Sequence, residues 1–315
     1  MRSLPKLNKK TKRDYLFVAL LLAYPVLQFV ITWGFVNIGS ILMAFQKSTG
    51  WETQWTFDNF VTVVKNIFET TMNTTGTKWL NNQTVIILNS LGYAVITIFI
   101  SLPLSLLFSY FLQKNMPLAN VFRVIFFLPN IIPIVALAMA YNTPLKENGY
   151  IFEFLKVIGI NLPSNLYAQW PTSQITVYLY CIWAGLGYNV VLMSGAIGRI
   201  PKEIFESAQL DGAGYFTEFT KITIPLIWPT IVTLVVLGMT NVLTLYLQPY
   251  LLSNGTTSGN IYSIAMEIFE TTASSQDANA LNQMAAKGLL FSVIWAPVVM
   301  LVRNRISKKY ADVDF

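Results

Sequence analysis

The sequence contains no histidine and a single cysteine, Cys181, among 315 residues. A disulfide within the chain is therefore impossible, and neither imidazole nor paired thiolates are present to hold a metal ion. Charge is scarce as well. Asp, Glu, Lys and Arg make up 11% of the chain, against about 25% in an ordinary soluble domain. A soluble fold of this size could not cover its surface with so few charges. No G-x-x-x-x-G-K-[ST] run occurs, which excludes a phosphate-cradling loop and, with it, ATP hydrolysis by this chain.

What is present is apolar: 54% of the residues are hydrophobic, and they fall in long blocks. A membrane span needs about 20 mostly apolar residues. Six blocks meet that length, at 15–36, 85–110, 122–142, 174–196, 227–249 and 283–303. Arg2, Lys6, Lys9, Lys10, Lys12 and Arg13 precede the first block. Its apolar core is too long for a signal peptide and no A-x-A site follows, so it reads as an uncleaved span. Cys181 lies in an apolar run and reads as a small buried hydrophobe. The expected fold is all-α: a polytopic membrane protein with six transmembrane helices. Its parts are an N-terminal tail, 1–14, a six-span domain, 15–303, and a C-terminal tail, 304–315.

The net charge of +6 belongs to topology rather than to a nucleic-acid partner, because the basic residues cluster beside the spans. With the N-terminus inside, the inner segments hold those six N-terminal residues with Lys114, Arg123, Arg199, Lys202, Lys221, Arg303, Arg305, Lys308 and Lys309. The outer side is given only Lys47, Lys65, Lys78, Lys146 and Lys156, in the segments 37–84, 143–173 and 250–282, with Lys287 at the outer end of the last block. Excess positive charge stays inside, which places both termini in the cytoplasm. Trp51, Trp55, Trp79 and Trp170 fall in or near the outer segments, as an interfacial aromatic belt requires. Glycosylation sequons at 73–75, 82–84 and 254–256 are a pattern frequent by chance.

The segment 199–225, between the fourth and fifth spans, has its own design. Pro201 suits the first turn of a helix, and Glu203 and Glu206 favour its N-terminal dipole. Ile204, Phe205, Ala208 and Leu210 give an apolar side, and Asp211-Gly212-Ala213-Gly214 breaks the helix. Phe216, Phe219 and Ile222 supply a second short helix, with Pro225 and Pro229 ending it at the membrane. The expectation is a helix–turn–helix along the cytoplasmic surface. On composition alone, an amphipathic interfacial loop without a partner fits equally well.

This segment resembles the coupling loop of binding-protein-dependent ABC permeases, whose pattern is E-A-A, three residues, G, nine residues, I, one residue, L-P. Glu206, Ala208, Gly212, Ile222 and Pro225 match at those spacings, while Ser207 replaces an alanine and Ile224 replaces the leucine. Phe57-Asp-Asn-Phe60, Arg123-Val-Ile-Phe-Phe-Leu-Pro129, Trp183-Ala-Gly-Leu-Gly-Tyr188 and Ser194-Gly-Ala-Ile-Gly-Arg-Ile-Pro201 resemble elements of maltose-type sugar permeases. Leu251-Leu-Ser-Asn-Gly255 resembles the family's L-L-T-x-G-G-P but lacks the second glycine and the proline. The resemblance implies a subunit of a sugar or oligosaccharide importer in the bacterial inner membrane. Its implied partners are a second permease, forming a heterodimer, two ATP-binding subunits docked on 199–225, and an extracellular solute-binding protein. No cofactor is expected in this chain. ATP and Mg belong to the ATPase subunits, and no nucleic acid is involved.

Polar residues inside spans are costly and so mark pathways or interhelical bonds. Asn89, Asn189, Asn241, Thr244 and Gln248 are such residues, and Asn241, Thr244 and Gln248 recur on one helix face. Gly185 and Tyr188 join the substrate pathway because the resemblance places them at sugar-contacting positions. Asn241 and Thr244 lie near such positions. Tyr141, Tyr178 and Tyr180 read as interfacial or core aromatics. The spans show no deep charge, which argues against a charge-bound substrate and against a proton relay. This separates the importer from a proton-coupled secondary transporter; a permease for a non-sugar solute remains the other alternative. Reporter fusions at Lys308 and near Asn73 should report opposite sides of the membrane; the same side for both would contradict the topology.

Overall fold

In a bilayer the backbone of an apolar run has no water to bond, so each run must close its hydrogen bonds within a helix. The computed structural model describes residues 12–49, 52–68, 82–114, 116–160, 162–167, 170–253 and 261–310. Trp51, Trp79, the sequons at 73–75 and 254–256, Asn254-Gly255 and the first eleven residues lie outside these. Helix α1, Lys12–Gln28, passes through a π-helical stretch, Phe29–Gly34, into α2, Phe35–Met43. Strands β1, Gln46–Thr49, and β2, Glu52–Trp55, form an antiparallel hairpin with Gln46 opposite Trp55. Helix α3, Asp58–Phe68, follows. Asn59 donates to the carbonyls of Ala44 and Gln46, and Phe57 and Phe60 pack on Phe45. The Phe57–Phe60 element is thus the clasp of this turn.

Next come α4, Asn82–Ile96, a π-helical stretch, Thr97–Ser101, and α5, Leu102–Gln113. Helices α6, Ala119–Ile131, α7, Ile134–Leu145, and α8, Tyr150–Val157, lead to the long α9, Thr172–Ile197. Short helices α10, Lys202–Leu210, and α11, Tyr215–Glu218, are followed by a π-helical stretch, Phe219–Thr223, and α12, Ile224–Leu226. Helices α13, Trp228–Thr244, α14, Leu247–Leu252, α15, Ile264–Ser274, and α16, Ala278–Ser307, complete the chain. Two of the π-helical stretches end two residues before a proline, Pro103 and Pro225. A proline has no N–H to donate and its ring pushes away the carbonyl four residues back, which widens the local register.

Four of the described helical stretches are long and apolar enough to span a membrane: Tyr15–Met43, Gln83–Gln113, Thr172–Ile197 and Ala278–Ser307. Two more spans arise only as bent pairs, Ala119–Ile131 with Ile134–Val157 at 106° and Tyr215–Leu226 with Trp228–Thr244 at 74°. The uninterrupted third span expected at 122–142 is therefore corrected. Ile132 precedes Pro133 and is extended (φ −75°, ψ 135°), as a residue before proline prefers. The fifth span is also shorter than the expected 227–249. It stops at Thr244, because Pro249 cannot donate to the Leu245 carbonyl, which Ser263 Oγ takes instead at 2.6 Å. Pro225 does not end its helix; the turn falls at Ile227, and Pro229 stands in the first turn of α13. The first span runs on to Met43 and the last to Ser307, beyond the boundaries 36 and 303.

Lys287 is the clearest departure in charge. The sequence counts it with the outer charges, yet it lies in the third turn of α16, 2% exposed, paired with Glu267 of α15 and bonded to Gln83 at 2.5 Å. The described spans are therefore not free of buried charge.

The bundle is organised around α9. Gln113 on α5 donates to the Ser194 carbonyl of α9 at 2.7 Å, and the hydroxyls of Ser105 and Ser109, which bond the carbonyls four residues back on α5 at 2.7 Å, also lie 3.4 and 3.0 Å from the carbonyls of Leu186 and Val190. Both sets step by four residues in the same sense, so α5 and α9 run parallel, as the second and fourth spans of an alternating chain must. On another side of α9, Gly187 admits the backbone of α6: a Cβ there would stand 2.0 Å from the Phe126 carbonyl oxygen. We predict that Gly187→Ala forces α6 and α9 apart and costs about 1–3 kcal/mol, the usual penalty of overpacking. Gly195, on the same helix, has open space around it. Thermal inactivation of purified Gly187→Ala should come earlier than wild type while Gly195→Ala is unchanged; equal midpoints would contradict the close crossing.

Candidate functional site

Two hydrophobic clusters stack along α9. One contains Tyr93, Leu137, Tyr180, Leu245 and Leu252; the other contains Leu102, Leu106, Met193, Ile197 and Leu234. Between them lies a cavity of 620 Å³, and its wall draws Leu137, Tyr180 and Leu245 from the first and Leu234 from the second. Its polar lining is Thr97, Ser101, Asn130, Tyr180, Tyr188, Asn189, Thr240, Asn241 and Gln248. No charged side chain is among the lining residues. The cavity exists because helices stop there. α6 breaks off at Ile131 and α13 at Thr244, and Ser101, the last residue of the π-helical stretch before α5, stands beside the gap.

Five of the six residues expected on the substrate pathway, Gly185, Tyr188, Asn189, Asn241 and Gln248, line this one cavity. Thr244 does not. It is exposed and caps its own helix by donating to the Thr240 carbonyl at 3.0 Å. The single helix face expected for Asn241, Thr244 and Gln248 is corrected by the break at Leu245, which puts Gln248 on α14; Asn241 and Gln248 meet at the cavity from different helices. Asn89 lies elsewhere, 7% exposed, with its amide donating to the Tyr262 carbonyl at 3.1 Å. It acts as interhelical glue.

The sequence reading passed over two hydroxyls. Ser101 and Tyr180 are among the cavity-lining residues, and their hydroxyl oxygens are buried without a hydrogen-bond partner among the described residues. Leaving such a group unsatisfied costs about 1–3 kcal/mol. A serine two residues before a proline within a span was the available signal for Ser101. Tyr180 had none, because an aromatic in a core looks the same in sequence. Tyr141 and Tyr178 are core residues as expected: Tyr141 donates to the Thr176 carbonyl, and Tyr178 packs on Tyr93. The wall is incomplete on one side, where Tyr188 is 47% and Leu237 44% exposed.

The second candidate feature is the hairpin continuing from α9. Its α10 ends in a complete left-handed cap. Gly212 (φ +78°) donates to the Gln209 carbonyl and Ala213 to the Ala208 carbonyl, at 3.0 and 2.9 Å. Ala208 is buried against the bundle, whereas Glu206, Leu210, Tyr215 and Phe216 are exposed, the last three by 70% or more. An apolar and acidic ledge therefore projects past the end of the helices.

Comparison with known proteins now decides the family. The model for the binding-protein-dependent transport system inner membrane component matches residues 101–308, two thirds of the chain. The chain belongs to that family. The match takes in the hairpin and all of the cavity lining except Thr97. Among curated relatives, a probable ABC transporter permease of Bacillus subtilis, YurN, is 30% identical over 53% of this chain and 59% of its own length, less than two thirds of that protein. The arabinooligosaccharides transport system permease AraP of the same species is 23% identical over 80% of this chain and 75% of its own. A chain of a bacterial ABC transporter that imports the acidic polysaccharide alginate shares the fold, with TM-score 0.76 at 24% identity over 95% of this chain and 98% of that one.

In this family member Gly212 is held by backbone conformation alone, since nothing lies within 4 Å of a Cβ there. Gly212→Ala should loosen the hairpin by about 1–2 kcal/mol, and Gly212→Asn by less. Gly214, at φ −74°, should tolerate alanine. Tryptic cleavage at Lys202 and Lys221 in open membrane vesicles reads this; equal cleavage of Gly212→Ala and Gly214→Ala would contradict it.

Proposed function

We propose that the chain is the permease subunit of an ATP-driven importer that carries a sugar or oligosaccharide inward through the cavity on α9. The observation that carries the reading is the lining: nine polar side chains, none charged, set among apolar walls. Saccharides offer hydroxyls and apolar ring faces, and this lining offers amides, hydroxyls and two tyrosines to meet them. The names of relatives support the same class. AraP is called an arabinooligosaccharides permease, and a Thermococcus litoralis relative a trehalose/maltose permease. An alginate transporter has been solved with a saccharide-bound periplasmic protein.

On this reading Gly185, Tyr188, Asn189, Asn241 and Gln248 contact substrate, together with Ser101 and Tyr180. Glu206, Ala208, Gly212, Ile222 and Pro225 form the hairpin on which separate ATPase subunits dock. ATP and Mg stay on those subunits, because the chain has no phosphate-cradling loop. A second permease closes the open side of the cavity, and an extracellular binding protein delivers the sugar. Both termini and the hairpin lie in the cytoplasm. The distinction from a proton-coupled carrier rests on the family, since Lys287 and Glu267 show that buried charge is present. Closure of the ATPases shifts the hairpin, and cavity access alternates as the helices tilt.

The test uses the assembled transporter in vesicles, with its ATPases and loaded binding protein. Wild type should take up saccharide only with ATP. Tyr188→Ala should lower uptake at limiting saccharide roughly tenfold, equivalent to about 1.4 kcal/mol of lost binding, while the ATPases still co-purify. Undiminished uptake would remove Tyr188 from the pathway, and the absence of any saccharide uptake by wild type would refute the reading.

A further inference from the structure

The hairpin is fastened to the bundle at a charged contact for which the transport reading has no role. Glu218, at the end of α11, is 1% exposed. Its carboxylate accepts from Lys114 Nζ at 2.5 Å and from the Tyr110 hydroxyl at 3.1 Å. Lys114 is the residue on which α5 ends. Its ammonium also lies 5.6, 5.2 and 5.6 Å from the ring centres of Tyr110, Phe205 and Tyr215. Phe205 belongs to α10 and Tyr215 to α11, and the Tyr110 hydroxyl lies 3.2 Å from the Tyr215 carbonyl. One cation therefore gathers the end of α5 and both short helices of the hairpin.

The placement has a mechanical consequence. The hairpin is joined covalently to α9 through residues 198–201, a short non-helical link closed by Pro201, and to α13 through the bend at Ile227. A hairpin held only at these two bends could pivot, and part of a push delivered to it would be lost in them. The attachment through Glu218 and Lys114 lands instead on α5, which Gln113 and the close approach of Ser105 and Ser109 tie along α9. Ser101 at the head of this seam, and Gly185, Tyr188 and Asn189 on α9, belong to the cavity wall.

We infer that Lys114 and Glu218 are a positioning pair that makes the hairpin, α5 and α9 one rigid lever, carrying motion at the hairpin to the cavity. A buried ion pair is a poor choice for stability alone, since an apolar pair of similar volume often serves as well. Its advantage is direction: the carboxylate holds the ammonium at one point among three rings. The inference rests on the hairpin being the ATPase docking site.

The experiment uses the complete transporter with its ATPases and loaded binding protein. Three quantities are read: the amount of assembled complex, ATP turnover per complex, and saccharide taken up per ATP. Glu218→Gln and Lys114→Met should leave turnover within about twofold of wild type while uptake per ATP falls about tenfold, a typical size for lost coupling between sites. Lys114→Arg should restore most of the ratio. If the single variants fail to assemble, the double variant Lys114→Met with Glu218→Met removes both charges and keeps the volume. That variant should assemble and hydrolyse ATP with the same low uptake per ATP. A wild-type ratio in any assembled charge-free variant would show the pair to be structural only and overturn the inference. A wild-type complex that takes up no saccharide would instead strike the transport reading.

Discussion

Three polar side chains on α5, spaced by four residues, lie within hydrogen-bonding distance of three carbonyls on α9 with the same spacing, and the rest of the bundle is arranged around that seam. In hydrocarbon there is no hydrophobic force between helices, so small residues and buried hydrogen bonds supply the attraction. Two serines serve here chiefly by size: they are small enough for close approach, and their hydroxyls, bonded within α5, also reach toward α9, while Gln113 supplies the strongest bond across the interface. Gly187 adds α6 to another side of α9, where no side chain would fit. With α9 held between two neighbours, the cavity forms where α6 and α13 stop short of it. The hairpin then leaves from the end of the same helix. Cavity wall and ledge are consequently two ends of one element rather than two separate modules.

The cavity carries its chemistry without charge. Its amides and hydroxyls suit a ligand that offers hydroxyls. Elsewhere in the described bundle, polar groups are largely consumed. Thr176, Thr233 and Thr244 bond their own helix, and Asn142 and Asn89 bridge to carbonyls of distant segments. An apolar surface remains outside: the stretch Tyr15–Met43 is wholly unburied within this chain, as a helix facing lipid or another subunit is.

Much of this was legible in the sequence, where the signal was local. Apolar length located the spans, glycine at 212 located the left-handed cap, and the E-A-A-type spacing located the hairpin. Three intramembrane polar residues, Asn189, Asn241 and Gln248, and two positions given by the family resemblance, Gly185 and Tyr188, line one cavity. The failures are non-local or depend on helix breaks. Pro133 and Pro249 interrupt helices that hydropathy draws as continuous, because hydropathy does not weigh a missing N–H. Thr244 has the right phase for the cavity, yet the helix ends beneath it. Lys287 resembled a loop charge because its partner Glu267 lies twenty residues earlier, on another helix. Lys114 and Glu218 stand 104 residues apart, and no window along the chain brings them together.

The central claim is that α5 and α9 travel as one body with the hairpin when the transporter turns over. Pulsed electron resonance on the complete transporter tests it most directly, in a Cys181→Ala background with spin labels at the exposed positions 111 on α5, 192 on α9 and 209 on α10. Between nucleotide-free and ATP-bound states, the 111–192 and 192–209 distances should each stay within about 2 Å, the scale of small helix shifts. A label pair from 192 to an exposed site on α16 should meanwhile move by more. A change of several Å in 111–192 or 192–209 would mean that the seam slips or the hairpin hinges, and would contradict the account.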